Sequence, residues 1–154
     1  MEIRLIVIGK TFQDFVKSGI EEYSRRINKF VKFKLVELPD IKNSKSLPQD
    51  VLKEKEAILL KKYLDDGYNI LLDENGKQFS SVEFAHWLEG LMNRGVRRLN
   101  FCVGGSFGFS QELLKKYDSL SLSKMTFSHQ LVRLIFVEQL YRAFTIIKSL
   151  PYHH

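Results

Sequence analysis

Apolar runs of strand length alternate along this chain with stretches whose apolar residues recur at helical spacing. Residues 3–8 predict a strand closed by Gly9, and residues 11–29 predict a helix carrying Phe12, Phe15, Ile20, Tyr23 and Ile27. Residues 31–38 alternate as a strand and stop at Pro39-Asp40. Residues 40–48, with Asn43, Ser44, Ser46 and Pro48, form a loop. A Lys/Glu/Leu-rich helix over 49–64 precedes a strand over 69–72, a turn at Glu74-Asn75-Gly76 and a helix over 81–94. A strand over 99–103, a helix over 110–117, a short strand around 120–122 and a long helix over 129–148 complete the pattern. Strands alternating with helices predict crossover connections. The fold class is therefore α/β: one domain over residues 1–154, with a mostly parallel sheet covered by helices on both faces.

The last helix departs from ordinary amphipathicity. Glu138, Gln139 and Arg142 share a narrow polar stripe, while Val132, Leu134, Phe136, Val137, Leu140 and Phe144 cover most of the remaining circumference. A helix apolar on nearly every side must be buried on nearly every side, which in so short a chain predicts packing against a second subunit. Arg133 projects among these apolar residues, and a buried guanidinium needs a partner or a ligand.

Composition narrows the class. With 44% hydrophobic and 27% charged residues, the 154-residue chain can fill a core. Its longest apolar runs fall far short of a bilayer span, and the N-terminal residues lack a secretory pattern, so a cytoplasmic protein away from membranes is expected. Cys102 is the only cysteine and sits in an apolar strand, which predicts a buried, inert thiol and excludes a cysteine zinc cluster. The net charge of +6 draws on Lys17, Arg25, Arg26, Lys29, Lys32 and Lys34, then on Lys42 to Lys62. Such charges form either a solvated helix face or a surface that tracks the phosphates of a polyanion.

Two segments carry candidate chemistry. An apolar strand runs into Gly104-Gly105-Ser106-Phe107-Gly108, with Ser110 placed to cap the next helix. The G-G-x-x-G spacing is neither the dinucleotide pattern nor a P-loop, so an NAD-linked enzyme is excluded and a backbone grip on a nucleoside stays open. Residues 119–129 begin with alternating Ser and Leu and continue as small and apolar residues, a wall suited to an adenine ring. Glu138 and Arg142, at helical i, i+4 spacing, are either a plain helix pair or part of a site.

These segments together resemble the RlmH family of SPOUT-class methyltransferases, which methylate N3 of a pseudouridine in 23S ribosomal RNA. The likeness is carried by Gly104-Gly105-x-x-Gly108, Ser121 to Phe127, His129-Gln130-x-x-Arg133, Val137 to Phe144 and Pro151-Tyr152-His153-His154. It extends to Gly9-Lys10, Glu22-Tyr23-x-x-Arg26, Lys53-Glu54-Lys55-Glu56 and Leu72 to Lys77. Many members have Pro in place of Ser128, and Pro or Asn near Ser106-Phe107; a backbone-mediated site tolerates both departures.

The resemblance implies a homodimer whose C-terminal segment is threaded into a trefoil knot that binds S-adenosylmethionine. The donor contacts it implies are Leu72, Gly105 and the run Ser123, Lys124, Met125, Thr126, Phe127 and Ser128. No metal is called for. Catalytic candidates are His129, Glu138, Arg142, Tyr152 and His153, among which His129, Glu138 and His153 remain alternatives for a general base. Arg133, Arg142 and Tyr152 suit phosphate or uracil carbonyls, Arg25 and Arg26 suit the RNA backbone, and Tyr152 or Tyr141 suits stacking on an extruded base. The substrate implied is 23S RNA in assembled or nearly assembled ribosomal particles. An inactive ribosome-binding or assembly protein of the same fold is the alternative.

Overall fold

The computed structural model describes residues 1–64 and 67–153. Five strands and five α-helices follow in the order β1 (Glu2–Ile8), α1 (Asp14–Ile27), β2 (Lys32–Leu38), α2 (Gln49–Leu64), β3 (Tyr68–Gln78), α3 (Ser81–Asn93), β4 (Arg98–Val103), α4 (Gln111–Lys116), β5 (Asp118–Ser121) and α5 (Leu131–Ile147). One turn of 3₁₀-helix, Ser44–Ser46, interrupts the predicted loop. The strands form one sheet in the order β2-β1-β4-β3-β5, and every pairing is parallel.

Strand alternation sorts the side chains into two cores. Ile3, Leu5, Val7, Ile70, Leu72, Leu99, Phe101 and Val103 face α1, α3 and α5. Ile6, Ile8, Leu71 and Cys102 face α2 and α4, meeting Ala57, Leu60, Leu64 and Leu113. Both sheet faces are thus covered, and this is why these strands read as continuous apolar runs. Cys102 is fully buried, and burial pushes its thiol pKa up, so it stays protonated and inert.

Three expectations are corrected. Helix α1 begins at Asp14, leaving Phe12 before it, and Phe15 lies well around the helix from the buried Val16, Ile20 and Ile27; both phenylalanines are exposed. The short fifth strand falls at Asp118–Ser121, ahead of its expected position. The predicted turn at 74–76 lies within β3, which continues to Gln78 and returns to β5. Leu120 consequently meets β3 twice, pairing with Leu72 and again with Lys77.

Between those pairings the chain crosses β5 so closely that a Cβ on Gly76 would stand 2.6 Å from the carbonyl carbon of Ser119 and 2.7 Å from the amide nitrogen of Leu120. Both obstacles are backbone and cannot step aside. Gly76→Ala is expected to destabilise the protein by about 3 kcal/mol or more, read as a lower midpoint in urea unfolding.

Serine side chains cap the first turns of α3 and α4. Ser80 and Glu83 form a reciprocal capping box, with Ser80 N–H donating to the Glu83 carboxylate at 2.7 Å and Glu83 N–H to Ser80 Oγ at 3.2 Å. Ser110 accepts from Leu113 N–H at 3.4 Å, the cap expected after the glycine loop.

Candidate functional site

Parallel strands leave a crevice at their carboxyl ends where neighbouring connections diverge, and ligands of open α/β sheets bind there. Here β3, β4 and β5 end around a cavity of about 440 Å³, within the size range of small-molecule sites. Leu72 closes it from β3, Gly104 to Phe109 from the connection after β4, and Leu122, Ser123, Met125, Thr126 and Phe127 from the segment after β5. His129 and Val132 line it at the start of α5, and Lys53 from α2.

The glycine loop is pinned on two sides. Gly105 C=O accepts from Gly108 N–H at 3.1 Å, and Gly105 N–H donates to the carboxyl group of Glu56 on α2. A Cβ on Gly105 would overlap that carboxyl group, so a larger residue would have to turn the Glu56 side chain away from the loop. Opposite, Ser123 Oγ accepts from Met125 N–H at 2.9 Å and Thr126 Oγ1 donates to Glu74 at 2.5 Å, which fixes the wall.

Of the donor contacts expected from sequence, Leu72, Gly105, Ser123, Met125, Thr126 and Phe127 line this cavity. Lys124 lines an adjoining open groove with Glu74, Asn75, Gly76 and Gln78. Ser128 is turned to the start of α5, where its hydroxyl accepts from Leu131 N–H at 3.1 Å. Burial lowers the pKa of His129, aided by the nearby Arg133 guanidinium and opposed by Asp40, so its imidazole is neutral at neutral pH.

Arg133 requires the plainest correction, because it is no RNA contact in this structure. It is fully buried, and its donors are taken up by the carbonyls of His129 at 2.9 Å, Ile8 at 2.7 Å and Gly9 at 3.0 Å, and by Thr11 Oγ1 at 2.9 Å. The buried charge found its partner in the backbone at the end of β1. That ties the start of α5 to the sheet.

The remaining catalytic candidates form a second group. Glu138 Oε1 accepts from Arg142 Nη2 at 2.7 Å and from Tyr152 Oη at 3.0 Å, and Glu138 Oε2 accepts from Gln139 at 2.7 Å. Tyr152 also meets the hydroxyl of Tyr23 at 3.2 Å and packs edge-on against Tyr141, with ring centroids 4.8 Å apart. Burial, and then the hydrogen bonds of Tyr23 and Glu138, raise the Tyr152 pKa, so the hydroxyl is a donor at neutral pH. The Arg142 guanidinium lies over the Tyr152 ring, and Arg26 lies over Tyr23 and Tyr141 while pairing with Glu22 at 2.7 Å. Arg25 pairs with the same Glu22 and stays exposed. His153 is half-buried, and His154 lies outside the described residues.

Tyr23 was not singled out by role from sequence. The only signal for it was the Glu22-Tyr23-x-x-Arg26 string. None of Glu138, Arg142 and Tyr152 lines the cavity. Arg142 lies ten residues along α5 from the cavity-lining Val132, about 15 Å at the helical rise. Among the described residues no group of three or more His, Cys, Asp or Glu side chains is placed to hold a metal ion, and no helix is long and apolar enough to cross a membrane.

The fold that carries the glycine loop, the wall after β5 and the doubled β3–β5 pairing matches, over residues 1–153, the family model described as predicted SPOUT methyltransferase. The chain belongs to that family. Within it, the chain groups with proteins named ribosomal RNA large subunit methyltransferase H: it is 51% identical to that of Flavobacterium johnsoniae and 49% to those of Christiangramia forsetii and Parabacteroides distasonis, covering 100% of this chain and 99% of each relative. A probable methyltransferase from Bordetella pertussis Tohama I shares the fold at 13% identity, with a TM-score of 0.56 over 92% of this chain and 95% of that one. A putative methylase family protein from Neisseria gonorrhoeae does so at 15% identity, with a TM-score of 0.52 over 91% and 81%.

Proposed function

We propose that this protein transfers a methyl group from S-adenosylmethionine to N3 of a pseudouridine in 23S ribosomal RNA, acting in the cytoplasm as a single-domain protein on assembled or nearly assembled ribosomal particles. The observation that carries this reading is the cavity at the ends of β3, β4 and β5, lined by six of the eight residues matched to donor contacts. Its make-up suits the donor: backbone and small side chains on the glycine loop, apolar Leu72 and Phe127, and the Ser123 hydroxyl. Bound there, the sulfonium supplies an already activated methyl group. The chain's own task is to orient the acceptor nitrogen and to take its proton.

His129 is the base this geometry favours, since it lines the cavity and is neutral. Glu138 is committed to Arg142, Tyr152 and Gln139, an arrangement suited to anchoring the tail. The distance along α5 between tail and cavity supports a homodimer in which the tail of one subunit serves the cavity of the other, with half-buried Leu134 and Ile135 available to the interface. The two meetings of Leu120 with β3 accord with a knotted C-terminal segment. Arg25, Arg26 and Arg142 would then meet RNA phosphates, giving affinity, while the shape of the ribosomal site gives specificity.

Calorimetric titration with S-adenosylmethionine tests the donor assignment. Saturable binding is expected, weakened at least about tenfold in Gly105→Val, whose side chain would occupy the space held by Glu56. A folded wild-type protein that binds no donor would refute the assignment and favour the inactive ribosome-binding alternative.

A further inference from the structure

We propose that Glu56 is the positioning residue of the donor loop, and that by holding Gly105 its carboxylate couples donor binding to the release of a proton. The inference rests on the donor reading of the cavity. Glu56 belongs to a Lys/Glu-rich helix that reads as solvent-facing, yet it is 7% exposed, beneath the loop that lines the cavity. Its carboxyl group accepts Gly105 N–H and fills the space in which a Cβ would stand, while Gly105 C=O is held by Gly108. The orientation of the Gly104–Gly105 peptide therefore depends on Glu56, and that of the Gly105–Ser106 peptide on Gly108.

The ionised form makes the stronger hydrogen bond and sits near a ligand that brings a sulfonium and an ammonium group. Without ligand, burial raises the carboxyl pKa to about 7, opposed by the Gly105 hydrogen bond and assisted by Asp40 from the segment after β2. Glu56 lies behind the loop, and the titratable groups that line the cavity itself are Lys53, Asp73, Glu74 and His129. None of these has the loop amide as its partner. Near neutrality, then, a sizeable share of donor-free protein carries a proton on Glu56, and donor binding expels it.

Titration calorimetry with S-adenosylmethionine in two buffers of different ionisation heat counts that proton. At pH 7 the wild type is expected to release a fraction of one proton per donor bound, and its Kd is expected to fall about tenfold between pH 6 and pH 8. Glu56→Gln is expected to release none and to bind independently of pH, more weakly than wild type at pH 8. Asp40→Asn is expected to shift the wild-type pH midpoint downward, since it removes the charge that opposes ionisation.

Folding is checked separately. A carboxyl whose folded pKa is raised above 4.5 stabilises below that value and loses its contribution as pH rises through about 7. Donor-free Glu56→Gln should therefore melt no lower than wild type at pH 8. Equal proton release and parallel pH profiles in wild type and Glu56→Gln, or an unmoved midpoint in Asp40→Asn, overturn the proposal while leaving the donor site intact. A wild type that binds no donor overturns both.

Discussion

Removing Tyr152 to His154 is expected to lower methyl transfer by about 10²- to 10⁴-fold, the range of a lost acid–base or orienting group, while changing donor affinity less than about threefold. The tail is held by its own network: Tyr152 donates to Glu138 and meets Tyr23, and the Arg142 guanidinium covers its ring. None of these residues lines the cavity of its own subunit, and on the proposed reading the tail acts on the acceptor nucleotide, so donor affinity is expected to change little. Transfer of labelled methyl groups to ribosomes that lack the modification, run beside donor titration, measures the split. Unchanged transfer would refute a catalytic role for the tail. Tyr152→Phe divides the effect further, because it keeps the ring beneath Arg142 and loses only the bonds to Glu138 and Tyr23. An intermediate loss, around tenfold, is expected for one charge-assisted bond.

Arg133→Met is expected to lower the melting temperature by about 8–15 °C. The guanidinium satisfies the carbonyls of Ile8, Gly9 and His129 and the hydroxyl of Thr11, all at the junction of β1 and α5. Methionine fills much of the volume and satisfies none of them. An unpaired buried polar group costs about 1–3 kcal/mol, and partial relaxation brings the net loss to about 3–5 kcal/mol. In a domain of this size each kcal/mol moves the midpoint by about 2–4 °C. Arg133→Lys keeps the charge but cannot reach four acceptors from one ammonium group, so it should recover part of the loss. Scanning calorimetry settles the matter; equal midpoints for wild type and Arg133→Met would return Arg133 to the list of ligand contacts.

These two expectations mark what could and could not be read in the sequence. Strand order follows from connectivity only in part, but the layers were legible. Ile3, Leu5 and Val7 alternate with Ile6 and Ile8, both sets are buried, and only a sheet covered on both faces demands that. The lining of the cavity proposed for the donor was legible because its parts are local strings, a glycine loop and a Ser-Leu-Ser segment. Arg133 was visible as an anomaly, but two of its partners are main-chain carbonyls more than a hundred residues away, which no side-chain pattern announces. The polar residues 74–76 read as a turn because strand signals assume apolar partners, whereas here the pairing with β5 is made by backbone. Glu56 was hidden by composition. Flanked by lysines and glutamates, it has no local sign that one of its helix's charged positions faces inward.

The doubled meeting of β3 with β5 also fixes an order of events in time. Residues 118–121 belong to the last quarter of the chain, and their places opposite Leu72 and Lys77 exist only once the 73–76 crossing has taken shape. During synthesis the first four strands can pair before that segment has left the ribosome, and the final step must then carry the C-terminal part into a partly closed scaffold. Pairings so distant along the chain form late and slowly. A chain that stops short of that step would lack Phe136, Val137, Leu140 and Phe144 of α5 from its core as well as the cavity wall that follows β5.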